Sequence, residues 1–145
     1  MTQVNLGKQH PTHYQQVTAL SKEADEAIAR AGLDPRLGEL VKIRVSQING
    51  CAFCLRMHTR DAIAKGETTD RLAVIAAWWE SQYFSEQERA ALALAEDVTR
   101  LPVPDNRAWD NGSLNDEQVS AISWLAIVMN AWNRIAIRSH YPVGP

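Results

Sequence analysis

Residues 34–58 read DPRLGELVKIRVSQINGCAFCLRMH, and the fold is decided in this stretch. Asp34 is suited to cap a helix with Pro35 in its first turn, and Leu37, Leu40, Val41, Val45 and Ile48 then recur at the three-and-four spacing of one helical face. Asn49-Gly50 breaks that run. Cys51 opens a further helix that reaches Lys65, with Gly66 as its left-handed terminus. The pattern predicts two helices joined at Gly50, with a Cys-x-x-Cys pair at the start of the second.

The same periodicity continues outward in both directions. Before the stretch, Tyr14, Val17, Leu20, Ala24, Ala27, Ile28 and Ala31 predict a helix that Gly32 stops. After it, Thr68 or Thr69 caps a helix ending near Tyr83, and Ser85 with Glu88 has the spacing of a capping box. The helix opened by Ser85 runs to Leu101, where Pro102 and Pro104 forbid continuation, and a loop fills Pro102 to Gly112. Asn115 and Gln118 offer a second capping box for a long helix through Val119, Ile122, Leu125, Ile127, Met129, Trp132 and Ile135. That helix is apolar on most sides, which places it between neighbours or at a subunit contact and predicts a homo-oligomer. The tryptophans, Trp78, Trp79 and Trp132 among them, are expected in the core or at such a contact. β-Branched Val41, Ile43 and Val45 leave local ambiguity, but no alternation is long enough for a strand. The expected fold class is all-α, a helical bundle forming one domain over residues 1–145.

A chain of 145 residues, 46% hydrophobic and 22% charged, has ordinary globular composition. A net charge of −2 without a Lys/Arg run argues against nucleic acid as a partner. The apolar runs Leu72 to Trp79 and Ala121 to Met129 fall short of the ~20 residues a membrane-spanning helix needs. Met1 to Gly7 lack the basic-then-apolar pattern of a secretory leader, which predicts a cytoplasmic protein. Cytoplasmic thiols are kept reduced, so a close cysteine pair there reads as catalytic or metal-binding.

Cys51, Cys54, His58 and Glu39 are the candidate site residues. Cys54 and His58, four apart, share a helical face on which a base can reach a thiol. Cys51 and Cys54 are close enough for a disulfide and sit at a helix N-terminus, whose free amides favour the reactive thiolate. Glu39 lies on the preceding helix and meets the thiols only if the turn at Gly50 folds back tightly. Carboxylate and imidazole would then form a proton relay; the other reading of Glu39 is a solvated first-turn carboxylate favouring the helix dipole.

The run from Glu39 to His58, with Asn130-Ala-Trp-Asn-Arg134 further on, resembles the alkylhydroperoxidase, AhpD-like branch of the carboxymuconolactone decarboxylase family. The resemblance extends from about Tyr14 to Arg134. It implies an all-α fold assembled as trimers or hexamers, and reduction of a hydroperoxide substrate through the cysteine pair. It also implies that Cys54 attacks and becomes a sulfenic acid, that Cys51 condenses with it to a disulfide, and that His58 and Glu39 relay protons. An external dithiol reductant or reductase would reopen the disulfide, and no bound organic cofactor is needed. Phe53 departs from the pattern, since hydroperoxidase members carry histidine directly before the second cysteine.

Two other chemistries stand beside this one. A general thiol-disulfide oxidoreductase would use the same pair. A zinc-binding assembly module would use Cys51, Cys54 and His58, at most three of the four ligands of a structural site. Leu55 excludes c-type haem, because it stands where CxxCH needs histidine.

Overall fold

The computed structural model describes residues 3–145; Met1 and Thr2, the start of the Met1 to Gly7 stretch that lacks a leader pattern, lie outside the described residues. Among the described residues seven α-helices follow one another: α1 (Leu6–Gln9), α2 (Pro11–Arg30), α3 (Pro35–Asn49), α4 (Ala52–Ala64), α5 (Thr69–Ala73), α6 (Glu86–Arg100) and α7 (Asp116–Arg138). A 3-10 helix, Ile75–Glu80, stands between α5 and α6. No strand occurs among the described residues, and no helix among them is long and apolar enough to cross a membrane.

Helix α3 lies at the centre, packed against α2, α4, α6 and α7. Every residue from Leu37 to Ser46 is buried, so the helix has no solvated face over that length. Val41, Val45 and Leu37 join Leu125, Ile122 and Met129 of α7 in the main core, to which both cysteines also belong. Leu40 and Ile43 point the other way, into a second cluster with Ile75, Phe84 and Leu92. A fully buried side chain of this size contributes roughly 1.5–3 kcal/mol, so α3 is the element on which the fold turns.

The helix ends follow the residues that mark them. The Asp34 carboxylate accepts the Arg36 amide at 2.8 Å, Thr68 caps α5, and Asn115 with Gln118 forms a complete capping box on α7. At Ser85 only half of the box is made: its hydroxyl accepts the Glu88 amide, while the Glu88 carboxylate turns to Arg71. Gly50 caps α3 with φ 71° and ψ 38°, a left-handed conformation that costs an L-residue roughly 1–2 kcal/mol.

The predicted helix from Thr68 to Tyr83 is replaced by two short pieces. Backbone angles leave the helical region at Ala77 (φ −130°, ψ 36°). A 3-10 turn aligns residues three apart, so Ile75 and Trp78 both face the second cluster. Trp78 also donates its indole N–H to Glu96 at 2.7 Å. Helix α1 was not anticipated, and α2 starts at Pro11, ahead of the Tyr14 start read from the pattern.

The turn carrying Cys51 is anchored from α7. Asn49 donates to the side-chain oxygens of Asn130 and Asn133, each at 2.9 Å, and Asn133 donates to Ser46 Oγ at 3.0 Å. The Cys51 amide in turn donates to the Ser46 carbonyl. Asn133 is fully buried, so Asn133→Ala strands polar groups in the core and is expected to cost about 1–3 kcal/mol. A urea midpoint equal to that of wild type would show that this network does not hold the turn.

Candidate redox site

Cys51 is the N-cap of α4, and its sulfur accepts the Cys54 backbone N–H at 3.3 Å. The two cysteines form a disulfide with Cα atoms 5.3 Å apart, and both are almost fully buried. An N-cap sulfur facing an unpaired helix amide is a favoured place for negative charge once the bond is reduced.

Glu39 is inside the protein, with 1% of its surface exposed, which removes the solvated-carboxylate reading. Its Oε2 meets His58 Nδ1 at 3.2 Å, and its Oε1 accepts from Lys65 Nζ at 2.6 Å and Lys42 Nζ at 3.3 Å. Burial pushes the Glu39 carboxyl up, but the His58 hydrogen bond and the two ammonium groups outweigh it and bring the pKa to about 2. An ionised carboxylate can only accept, so His58 Nδ1–H donates to Glu39 and leaves Nε2 as the free basic nitrogen.

Lys42 is buried as well. Burial pushes its ammonium down, and Glu39 together with Asp25, 2.7 Å away, reverses this and holds it above the usual lysine value. Asp61 adds a second carboxylate beside His58 Nδ1, at 3.6 Å. Lys42, Lys65, Asp25 and Asp61 were not singled out in the sequence. Lys42 at three residues from Glu39, and Asp61 at three from His58, carried a signal in their helical spacing.

Cys54 and His58 line one cavity of about 440 Å³ with Tyr14, Met57, Trp132 and Tyr141. Tyr14 packs edge-on against Trp132, and Phe53 against Tyr141, each pair with ring centres 5.1 Å apart. The cavity lining joins these apolar side chains with His58, Lys42, Asp25 and Asp61. It suits a ligand with a hydrocarbon body and one polar reacting end.

The zinc ligands read from the sequence are not assembled, because both sulfurs are engaged with each other. Glu39, His58 and Asp61 do bring potential ligand atoms within 4.8 Å of one another. Two lysine ammonium groups on the same Glu39 carboxylate oppose a further cation there.

Residues 11–97 match the sequence profile of the carboxymuconolactone decarboxylase family. The chain belongs to that family. Among its relatives is the uncharacterized protein YdfG of Bacillus subtilis, 45% identical over 105 residues that span 68% of this chain and 70% of YdfG. The uncharacterized protein YnjA of Escherichia coli is 34% identical over 73 residues, half of this chain and 40% of YnjA. A crystal structure from Agrobacterium tumefaciens superposes with a TM-score of 0.84 at 33% identity, covering 99% of this chain and 100% of its own. That protein is described as of unknown function and, provisionally, as an antioxidant defence protein AhpD. The AhpD-like helical bundle and the CxxC disulfide of this carboxymuconolactone decarboxylase family member thus stand together.

Proposed function

We propose that this protein is a thiol-dependent peroxidase that reduces organic hydroperoxides at Cys54. The observation that carries the reading is the placement of Cys54 in one cavity with His58, whose Nδ1 is held by the ionised Glu39. His58 Nε2 takes the Cys54 proton, and the thiolate attacks the outer peroxide oxygen. The O–O bond breaks, Cys54 becomes a sulfenic acid, and the returned proton lets the other oxygen leave as an alcohol. Cys51, whose thiolate is favoured at the α4 N-cap, displaces water from the sulfenic acid and closes the disulfide seen in the structure. A dithiol donor then restores both thiols.

Glu39 does not carry a proton in this scheme. Held ionised by Lys42, Lys65 and His58, it fixes the imidazole tautomer and stabilises the imidazolium that forms. Self-association belongs to the same reading: Trp124 and Ile127 expose 51% and 45% of their surface on α7, where a second subunit would cover them.

Reduced wild-type protein and Cys51→Ser are to be treated with cumene hydroperoxide and a sulfenic-acid trap, then mapped by mass spectrometry. The expected products are a Cys51–Cys54 disulfide in wild type and a trapped sulfenic acid on Cys54 in the variant. Thiols inert to hydroperoxide but fast towards a small disulfide would replace this reading with general thiol-disulfide exchange.

A further inference from the structure

The cysteine pair separates two spaces. Cys54 lines the cavity that holds His58, whereas Cys51 lines a different groove of about 240 Å³ with Gly50, Ala52, Ile137, His140 and Val143. Phe53, Ala136 and Tyr141 line both spaces and so form the wall between them. The wall is held in place: Phe53 and Tyr141 pack edge to face, and the Tyr141 amide donates to the Ala136 carbonyl at 3.1 Å. Beyond Tyr141, the Gly144 carbonyl accepts from the Arg56 guanidinium at 2.8 Å, tying the segment after α7 back to α4.

The geometry points to a second entrance: a dithiol enters the groove beside Cys51, attacks that sulfur, and expels Cys54 as the leaving thiolate into the His58 cavity. This rests on the peroxidase reading for its place in a cycle, but the step itself concerns only the disulfide. Thiol-disulfide exchange depends on which sulfur can be reached and on how well the other one leaves. A nucleophile in the groove meets Cys51, and the sulfur it displaces is the one beside the imidazole.

The entering thiolate bonds to Cys51, the Cys51–Cys54 bond breaks, and its electron pair goes to Cys54, which takes up a proton. The second thiol of the reductant loses its proton and attacks its own bound sulfur. The reductant closes to a disulfide and Cys51 is released as a thiolate. Two electrons pass from the dithiol to the pair.

Phe53 stands directly before Cys54 and lines both spaces, so an aromatic ring at this place keeps the oxidant's cavity apart from the reductant's groove.

The test uses protein oxidised with diamide, so that the disulfide forms whether or not hydroperoxides react. Wild type is exposed to excess 2-mercaptoethanol with iodoacetamide present, and the adducts are mapped. Mercaptoethanol on Cys51 with alkylated Cys54 is expected; the reverse pattern overturns the inference. Two plugs add a kinetic check: Ala52→Trp at an exposed position of the groove, and Met57→Trp in the cavity. Ala52→Trp is expected to slow reduction by dithiothreitol about tenfold and Met57→Trp to leave it within about twofold, since access limits exchange. Equal slowing by the two plugs would mean a single shared entrance. Failure of hydroperoxide to oxidise the thiols would end the peroxidase reading and leave the mapped entrance standing.

Discussion

Cys54→Ser is expected to lower hydroperoxide turnover by roughly a thousandfold or more, the scale seen when a nucleophile is removed from an enzyme. A serine hydroxyl stays protonated near neutral pH and offers the peroxide oxygen no thiolate. The cavity, His58 and Glu39 all remain, so substrate binding without chemistry is the state the variant would report. Cys51→Ser differs in kind. It completes one oxidation and then stops at the Cys54 sulfenic acid, giving a stoichiometric burst without cycling. Steady-state turnover and single-turnover oxidation, measured on both variants with cumene hydroperoxide, distinguish these outcomes. A burst that survives in Cys54→Ser would assign the attack to Cys51, whose sulfur at the α4 N-cap is the alternative thiolate. Neither substitution should unfold the protein, because the disulfide closes a loop between positions three apart and constrains the unfolded chain little.

The parts of this arrangement that could be read without coordinates are those specified locally. Asp34, Gly50, Thr68, Ser85 and Asn115 act on backbone groups within a few residues, and each ends or starts a helix where its chemistry requires. The fourth helix was not legible, because Leu72 to Trp79 is as compatible with an α-helix as with a 3-10 turn. The contacts that accompany the 3-10 turn are tertiary: Ile75 and Trp78 pack into the second cluster, and Glu96 on α6 accepts the Trp78 indole N–H. Glu39 shows the same limit at the site. Its distance from the cysteines along the chain was visible, but the direction it faces depends on how α3 and α4 pack. The surroundings that make it an anion come from Lys42 on its own helix, His58 on α4 and Lys65 at that helix's end. Phe53 was legible as a departure from a pattern, and its place in the wall between two spaces belongs to the tertiary structure.

Glu39→Gln is the substitution that tests this cluster, and it is expected to reduce both activity and stability. The amide keeps the shape of the side chain but removes the negative charge that touches both Lys42 and Lys65. Breaking a buried ion pair on one side costs about 3–5 kcal/mol. The loss here should fall near the lower end, because Lys65 is 41% exposed and Lys42 keeps Asp25. Activity should fall by about a hundredfold, the lower range for general acid–base assistance, because a glutamine can face His58 Nδ1 with either its oxygen or its nitrogen. The acid dependence of stability follows from the sign of the Glu39 shift. Its pKa in the folded protein, about 2, lies below the ordinary 4.5, so its contribution is fully present above 4.5 and is lost as the pH falls towards 2. The stability gap between wild type and Glu39→Gln should therefore narrow through that window, as urea midpoints at successive pH values would record. Lys65→Met in the Glu39→Gln background should recover part of the stability by removing one uncompensated cation, without recovering the rate, since His58 still lacks its carboxylate. A gap that stays constant down to pH 2, or a Glu39→Gln protein with wild-type turnover, would mean that the carboxylate does not hold the imidazole in its working state.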